Sequence, residues 1–290
     1  MRVSSLWVHP VKSCRAVGLD RVELDETGFR HDRRWMIVDP DGRFVSQRER
    51  PDLATVSVSI RGDHVALSAH GHGALTLPFD PGDAAPTRRV TVWDDAVEAR
   101  RASPDAALWL RTTLGLDGDI VWMPPGSARP VDPTYARASD RVGFADGFPL
   151  LVAAESSLDA LNAMLDEPVP MERFRPNVVV SGSEAFDEDR WSAFRLGMIR
   201  CRVVKPCARC VIVNTDPWSG ARDAEPLKTL SGFRARESKV YFAQNVVHAR
   251  DSIGQWVAVG DEVSVETRRE PNDELELGSS NAFTNDEGPR

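Results

Sequence analysis

Eight short runs rich in β-branched and aromatic residues fill the first third of the chain: RVSSLWV, RVELDE, RRWMIVD, RFVSQ, LATVSVSI, HVALSA, ALTLP and RRVTVW. Turn signals split them, among them DETG, DPDG, RGD and DPGD. Pieces of this length are too short for amphipathic helices, and their spacing of roughly 8 to 12 residues predicts an all-β barrel or sandwich. Pro40-Asp41-Gly42 reads as a hairpin turn.

The remainder mixes strands with a few helices. SPDAALWLRTTL predicts a helix from Ser103 to Leu114, with Ser103 as N-cap, Pro104 at the first helical position and Gly115 as the stop. IVWMP follows as a strand. GSARPVDPTYARASDRVGFADGFP is then long and poor in aliphatics, as expected of a linker or a site loop. From Pro149 the pattern changes. PLLVAAES reads as a buried strand, and SSLDALNAMLDEPV as an amphipathic helix with Leu158, Leu161, Met164 and Leu165 on one face. FRPNVVVSG, WSAFRLGMIRCRVV, VYFAQNVV and DEVSVET read as further strands, and EPLKTLSGFR as a short helix.

With 290 residues the chain can bury a core without a disulfide framework, and its four cysteines, at 14, 201, 207 and 210, show no regular spacing. A reducing, cytoplasmic setting is expected. MRVSSLWVHPVKSC has no apolar leader region, and no apolar stretch approaches the roughly 20 residues of a membrane-spanning helix. The net charge of −8 argues against a nucleic-acid partner. From Arg268 onward, six acids face three arginines in a segment with few apolar residues, expected to be a disordered acidic tail.

The chemistry concentrates in KPCARC, residues 205 to 210, where two thiols flank an arginine. A closed zinc site needs four ligands, and no second Cys-x-x-Cys or His pair lies nearby. A thioredoxin-like pair uses a helix N-terminus, whereas Val211, Ile212 and Val213 favour a strand. A thiolate also suits a soft metal whose other ligands belong to an organic cofactor. Cations and backbone N–H groups would then hold that cofactor's anionic parts. Lys12 and Ser13 in HPVKSC, Arg33 in HDRRW, Arg175 and Asn177 in FRPN, and Arg209 all lie at strand ends beside Pro or Gly or within this motif. Singly, each cation reads as a solvated surface group.

Taken in order, VHPVKSC, DETGFRHDRRWMIVD, FRPNVVVSG, KPCARC, EPLKTLSGFR and FAQNVV resemble the MOSC proteins, named for the molybdenum cofactor sulfurase C-terminal domain. The similarity is to members that join an N-terminal β-barrel domain to a MOSC domain: the bacterial reductases of N-hydroxylated bases and the mitochondrial amidoxime-reducing components. It implies a mainly β fold with a few helices, an N-terminal β-barrel-like domain over residues 1–125 packed on a MOSC-type barrel over 126–267, and a tail over 268–290. It also implies a molybdenum–molybdopterin cofactor with Cys210 as metal ligand. Lys12, Ser13, Arg33, Arg175, Asn177, Ala208 and Arg209 would be the matching cofactor contacts. Ala208 stands where the family often has serine, and Asp146-Gly147-Phe148 matches a contacting loop without its hydroxyls. Asp216, with Gln244 and Asn245, is expected on the substrate side.

The resemblance further implies two-electron reduction of small N-hydroxylated substrates such as amidoximes, hydroxylamines and N-hydroxylated bases. Cysteine is absent after Cys210, so no C-terminal iron–sulfur domain can be built in this segment, and a separate flavoprotein, ferredoxin or cytochrome is expected as electron donor. A carrier of sulfur or of the cofactor, without turnover, is the competing reading.

Overall fold

The computed structural model of the protein describes residues 1–269. Its largest sheet runs in the order Val17–Leu19, Arg2–Val8, Val178–Ser181, Leu150–Ala154, Lys239–His248, Ile199–Arg209, Trp191–Leu196 and Val263–Arg268. Leu150–Ala154 and Val178–Ser181 pair in parallel, joined by the crossover helix Glu155–Asn162. Val3 donates to the Asp261 carbonyl at 2.9 Å and Val263 to that of Met1 at 3.0 Å, so the sheet curls back on its own first strand. The N-terminal strand is thus a stave of the C-terminal barrel.

Period-two alternation explains why these strands read as continuous apolar runs: both faces are covered. Leu150 and Val152 point into a core with Leu6, Val178, Trp191 and Phe194. Leu151 and Ala153 point outward, under Leu161 of the crossover helix, Phe174, Leu230 and Phe242. Trp191 and Phe242 are fully enclosed, each contributing roughly 2–3 kcal/mol of burial.

The N-terminal part holds a second sheet, Trp35–Val38, Asp119–Trp122, Asp95–Arg101 and Thr87–Val92, and a three-stranded meander, Ser57–Arg61, His64–Ser68 and Leu75–Pro78. They share a core with the helix Pro104–Leu114, where Trp35, Ile37 and Trp122 meet Val65, Leu77 and Leu110. Ser103 caps that helix by accepting from the Ala106 N–H, and Gly115 ends it in a left-handed turn, as its sequence predicts. The protein is mainly β, as expected. Among the described residues no helix is long and apolar enough to cross a membrane.

Several elements differ from the sequence expectation. RFVSQ forms isolated bridges at Arg43 and Phe44 instead of a strand, and its last two residues, Ser46 and Gln47, are buried. The LAT of LATVSVSI belongs to a 3₁₀ turn, Pro51–Thr55, started by Pro51, before the strand Ser57–Arg61. Asp95–Arg101 is a strand whose charged residues hid it; among them Val97 and Ala99 are buried. The helix in SSLDALNAMLDEPV stops at Asn162, whose amide takes both the N–H (2.9 Å) and the carbonyl (3.1 Å) of Val169. Met164 is left outside it and half exposed. Val211–Asn214 is a 3₁₀ turn, and the strand lies before it, with KPCAR as its end. Arg268 closes the last strand, and residues 270–290 of the expected tail lie outside the described residues.

Two stability predictions arise from this frame. Gly28 has φ +109°, and a Cβ there would sit 2.4 Å from the Pro149 carbonyl oxygen, just before the strand that walls the candidate site. Gly28→Ala should therefore destabilise the protein by about 3 kcal/mol in urea unfolding. Glu188, fully buried, accepts from the Ser157 hydroxyl at 2.8 and 2.9 Å. Burial pushes its carboxyl up from 4.5 to about 7, against the opposing pull of the Ser157 hydrogen bond. A raised carboxyl pKa favours the folded state while protonated, and that contribution fades as pH climbs from about 4.5 to 7. Across that window wild-type stability should fall relative to Glu188→Gln, by about 3 kcal/mol at most. Parallel urea titrations at pH 5 and pH 8 check it, and an equal gap at both would contradict the assignment.

Candidate active site

The two halves of the fold meet at a cleft of about 160 Å³. Its wall draws on the turn after the first strand (Lys12, Ser13), on Arg33, on Ser46 and Arg48, and on the loop from Ala145 to Phe148. The C-terminal half adds Phe174, Arg175 and Asn177, then Cys207 to Cys210, Ile212 and Asn245. All eight residues expected to hold a cofactor line this one cleft, although they come from positions 12 to 210.

Backbone hydrogen bonds assemble them. Lys12 donates to the Trp35 carbonyl at 2.8 Å, and Arg33 to that of His9 at 2.9 Å, clamping the first two loops together. The Phe144 N–H donates to the Arg33 carbonyl at 2.9 Å and carries the long loop alongside. Arg129 fixes that loop from behind, donating to the Gly143 (3.1 Å), Ala145 (2.7 Å) and Asp146 (3.3 Å) carbonyls. The segment that reads as linker or site loop is thus part of the site wall. Ser13, Arg33 and Arg175 all have positive φ, at 71°, 45° and 56°, a costly conformation for non-glycine residues that tertiary contacts must enforce.

The cleft is electropositive in a protein of net charge −8. Among the described residues its wall carries five cations, Lys12, Arg33, Arg48, Arg175 and Arg209, against one carboxylate, Asp146. Burial, and then the Arg33 guanidinium, bring Arg175 down to about 10. Burial also lowers Lys12, partly offset by its 2.5 Å ion pair with Asp146. Asp146 is exposed at the cleft mouth, and Lys12, then Arg48 and Arg33, hold its carboxyl well below the carboxylate range. Behind them, His9 is kept neutral by burial and then by Arg33 and Arg175. Cations crowded together with so little countercharge form a seat for an anion.

Individual side chains divide between facing the cleft and supporting it. Arg33 donates to Asp32 (2.7 Å), to the Asn177 amide oxygen (3.1 Å) and to the Arg175 carbonyl (3.2 Å). Asn177 spends the rest of its amide on the Leu151 N–H and the Trp7 carbonyl, so it holds Arg33 and ties strands together. Arg209 donates to the Cys207 sulfur at 2.9 Å and the Phe174 carbonyl at 2.7 Å, while its buried Nε has no partner among the described residues. Ala208 is exposed at the cleft. The Cys210 sulfur, half-buried, accepts from Arg48 at 3.5 Å.

Asp216 lies outside this cleft. Its carboxylate caps the turn at Trp218 and Ser219 and sits 3.5 Å from Arg173. Asn245 lines the cleft, whereas Gln244 is fully buried and bonded to Asp189 and Arg269. Cys14 and Cys201 are buried in two separate cores, and among the described residues no three His, Cys, Asp or Glu side chains converge as a metal site. Sequence reasoning missed Arg48, Ser46 and Ile212. Arg48 in VSQRER looks like any surface arginine, because only the docking of the two halves brings it to Cys210.

Comparison with known proteins identifies the two halves of the chain. Residues 1–117 match the MOSC N-terminal beta barrel domain and residues 139–264 the MOSC domain. The chain is 32% identical over 242 residues to mitochondrial amidoxime-reducing component 1 of Mus musculus, covering 80% of this chain and 71% of that one. It is 30% identical over 277 residues to mitochondrial amidoxime reducing component 2 of Bos taurus, covering 90% and 82%. The human component 1 is 31% identical over 252 residues, covering 82% and 74%. With both domain matches and these relatives covering most of its length, the chain belongs to the MOSC family, among the members that join the N-terminal β-barrel domain to the MOSC domain.

Proposed function

We propose that this protein is a molybdenum-cofactor-dependent reductase of small N-hydroxylated compounds, with electrons supplied by a separate redox protein. The observation that carries the reading is a cleft walled by five cations that presents the half-buried thiol of Cys210, with Cys207 beside it. The donor set fits a molybdopterin cofactor. A thiolate suits a soft metal, and guanidinium groups suit phosphate and dithiolene charge. Cys210 is the metal ligand in this reading. Lys12, Ser13, Arg33 and Arg175 bind the anionic parts, with the backbone N–H groups of Ala208 and Arg209 beside the ligand. Asn177 keeps Arg33 in place. What the cofactor supplies there, when bound, is two-electron redox chemistry able to cut an N–O bond.

The chain's own residues do the rest. Lys12 must release Asp146, or share it, when an anion takes the seat; Asp146 is 63% exposed and free to swing outward. Arg209 and Phe174 shape the wall beside Cys207, and Arg48 the wall beside the ligand. The relatives named as amidoxime-reducing components support the substrate class.

The test is the metal and pterin content of protein made in a host that synthesises the cofactor, followed by turnover of an amidoxime with an artificial electron donor. About one molybdenum per chain with a fluorescent pterin product and turnover supports the reductase. A persulfide on Cys210 without turnover supports a carrier instead, and stoichiometric zinc without pterin overturns both.

A further inference from the structure

We infer that Trp93, an aromatic residue at the tip of a hairpin, is a positioning residue for the thiol site: it holds the Arg48 guanidinium against the sulfur of Cys210. The hairpin joins Thr87–Val92 to Asp95–Arg101, with Asp95 opposite Val92, which leaves Trp93 and Asp94 as a two-residue turn. Trp93 has φ 55°. The first position of a turn with positive φ is ordinarily glycine, and a bulky aromatic there is an outlier. Nor is the indole placed to hide from water, since it stays 42% exposed.

What it gains is a set of contacts aimed at the cleft. The Arg48 guanidinium lies over the indole, 4.5 Å from its centroid, and donates to Cys210 Sγ at 3.5 Å. Phe44 packs edge-on to the same indole at 5.0 Å, and the Lys12 ammonium lies 5.1 Å over the Phe44 ring. The tip of one hairpin therefore reaches two cleft cations, Arg48 directly and Lys12 through Phe44. Among the described residues Arg48 rests on a ring and a sulfur and forms no ion pair, with Asp146 near enough only to feel its field, so most of its charge is left for whatever occupies the cleft. Without the indole, a long flexible side chain has one weak tether to the sulfur.

The test uses Cys207→Ala as background, since Cys14 and Cys201 are buried and silent. Cofactor-free protein is reacted with a dianionic aromatic disulfide and with a neutral maleimide at one pH. The ratio of the two rates reports positive potential at Cys210, because its ionised fraction cancels. Arg48→Gln should lower the ratio about three- to tenfold. Trp93→Asn, which suits a left-handed turn better, should reproduce at least half of that loss on a logarithmic scale while remaining folded. Trp93→Phe should restore the wild-type ratio. A wild-type ratio in Trp93→Asn overturns the inference, as does Arg48→Gln without effect. Molybdenum content is a second readout and rests on the function proposed above: Trp93→Asn should retain severalfold less than Trp93→Phe. If no variant or wild-type protein holds molybdenum, that function fails, and the rate ratio still decides the role of Trp93.

Discussion

In the reductase proposed above, Cys210→Ala should lower molybdenum from about one atom per chain to under roughly a tenth, because that reading gives the metal a single protein ligand. Geometry gives the contrast with Cys207. Both sulfurs line the cleft, but Cys207 is engaged by Arg209 at 2.9 Å and packs at the edge of an apolar cluster with Phe174 and Phe242. Cys210 follows the strand's last residue, Arg209, and is half-buried with Arg48 as its contact. Cys207→Ala should therefore keep most of its molybdenum and lose only some packing. Elemental analysis of both variants after gel filtration reads the difference. If both retain full molybdenum, the ligand is elsewhere; if both lose it, the thiols act as a pair.

The fold was legible where local physics decides it. The alternating strands, the Ser103 cap and the Gly115 stop carry their own signals, and the structure follows them. The failures share a cause in tertiary context. Val211 to Val213 favour a strand by propensity, yet the chain must turn away from the sheet after Cys210, and a 3₁₀ turn results. Asp95–Arg101 looks polar because its neighbours cover one face alone. The cleft was legible in part for a different reason. Lys12, Arg33, Arg175 and Arg209 lie in segments with a recognisable pattern, though nothing in any one of them tells a site cation from a solvated one. Arg48 and Trp93 carry no such pattern. Their roles depend on which surfaces of the two halves face each other, and that information is distributed over the whole core.

Arg33 is where stability and binding are most tightly joined, and the two can be separated. Its guanidinium reaches the buried Asp32 carboxylate, the Asn177 amide and the Arg175 carbonyl at once, from a residue held at φ 45°. Asp32 is 2% exposed and otherwise accepts from the His9 N–H at 2.7 Å. Arg33→Ala leaves that carboxylate buried without its cation, which should cost about 3–5 kcal/mol and lower the melting temperature by roughly 10 °C. Arg33→Lys should recover little, since a single ammonium cannot match three acceptors arranged for a planar fork. Adding Asp32→Asn to Arg33→Ala removes the orphaned charge while keeping an acceptor for His9, so most of the stability should return. Molybdenum content should not return with it, because the cleft still lacks the cation. If the double variant regains both, Arg33 serves the fold alone and the anion seat is built from Lys12, Arg48, Arg175 and Arg209. If it regains neither, the network around Asp32 depends on charge at both positions, and the division between supporting and binding roles drawn for Arg33 does not hold.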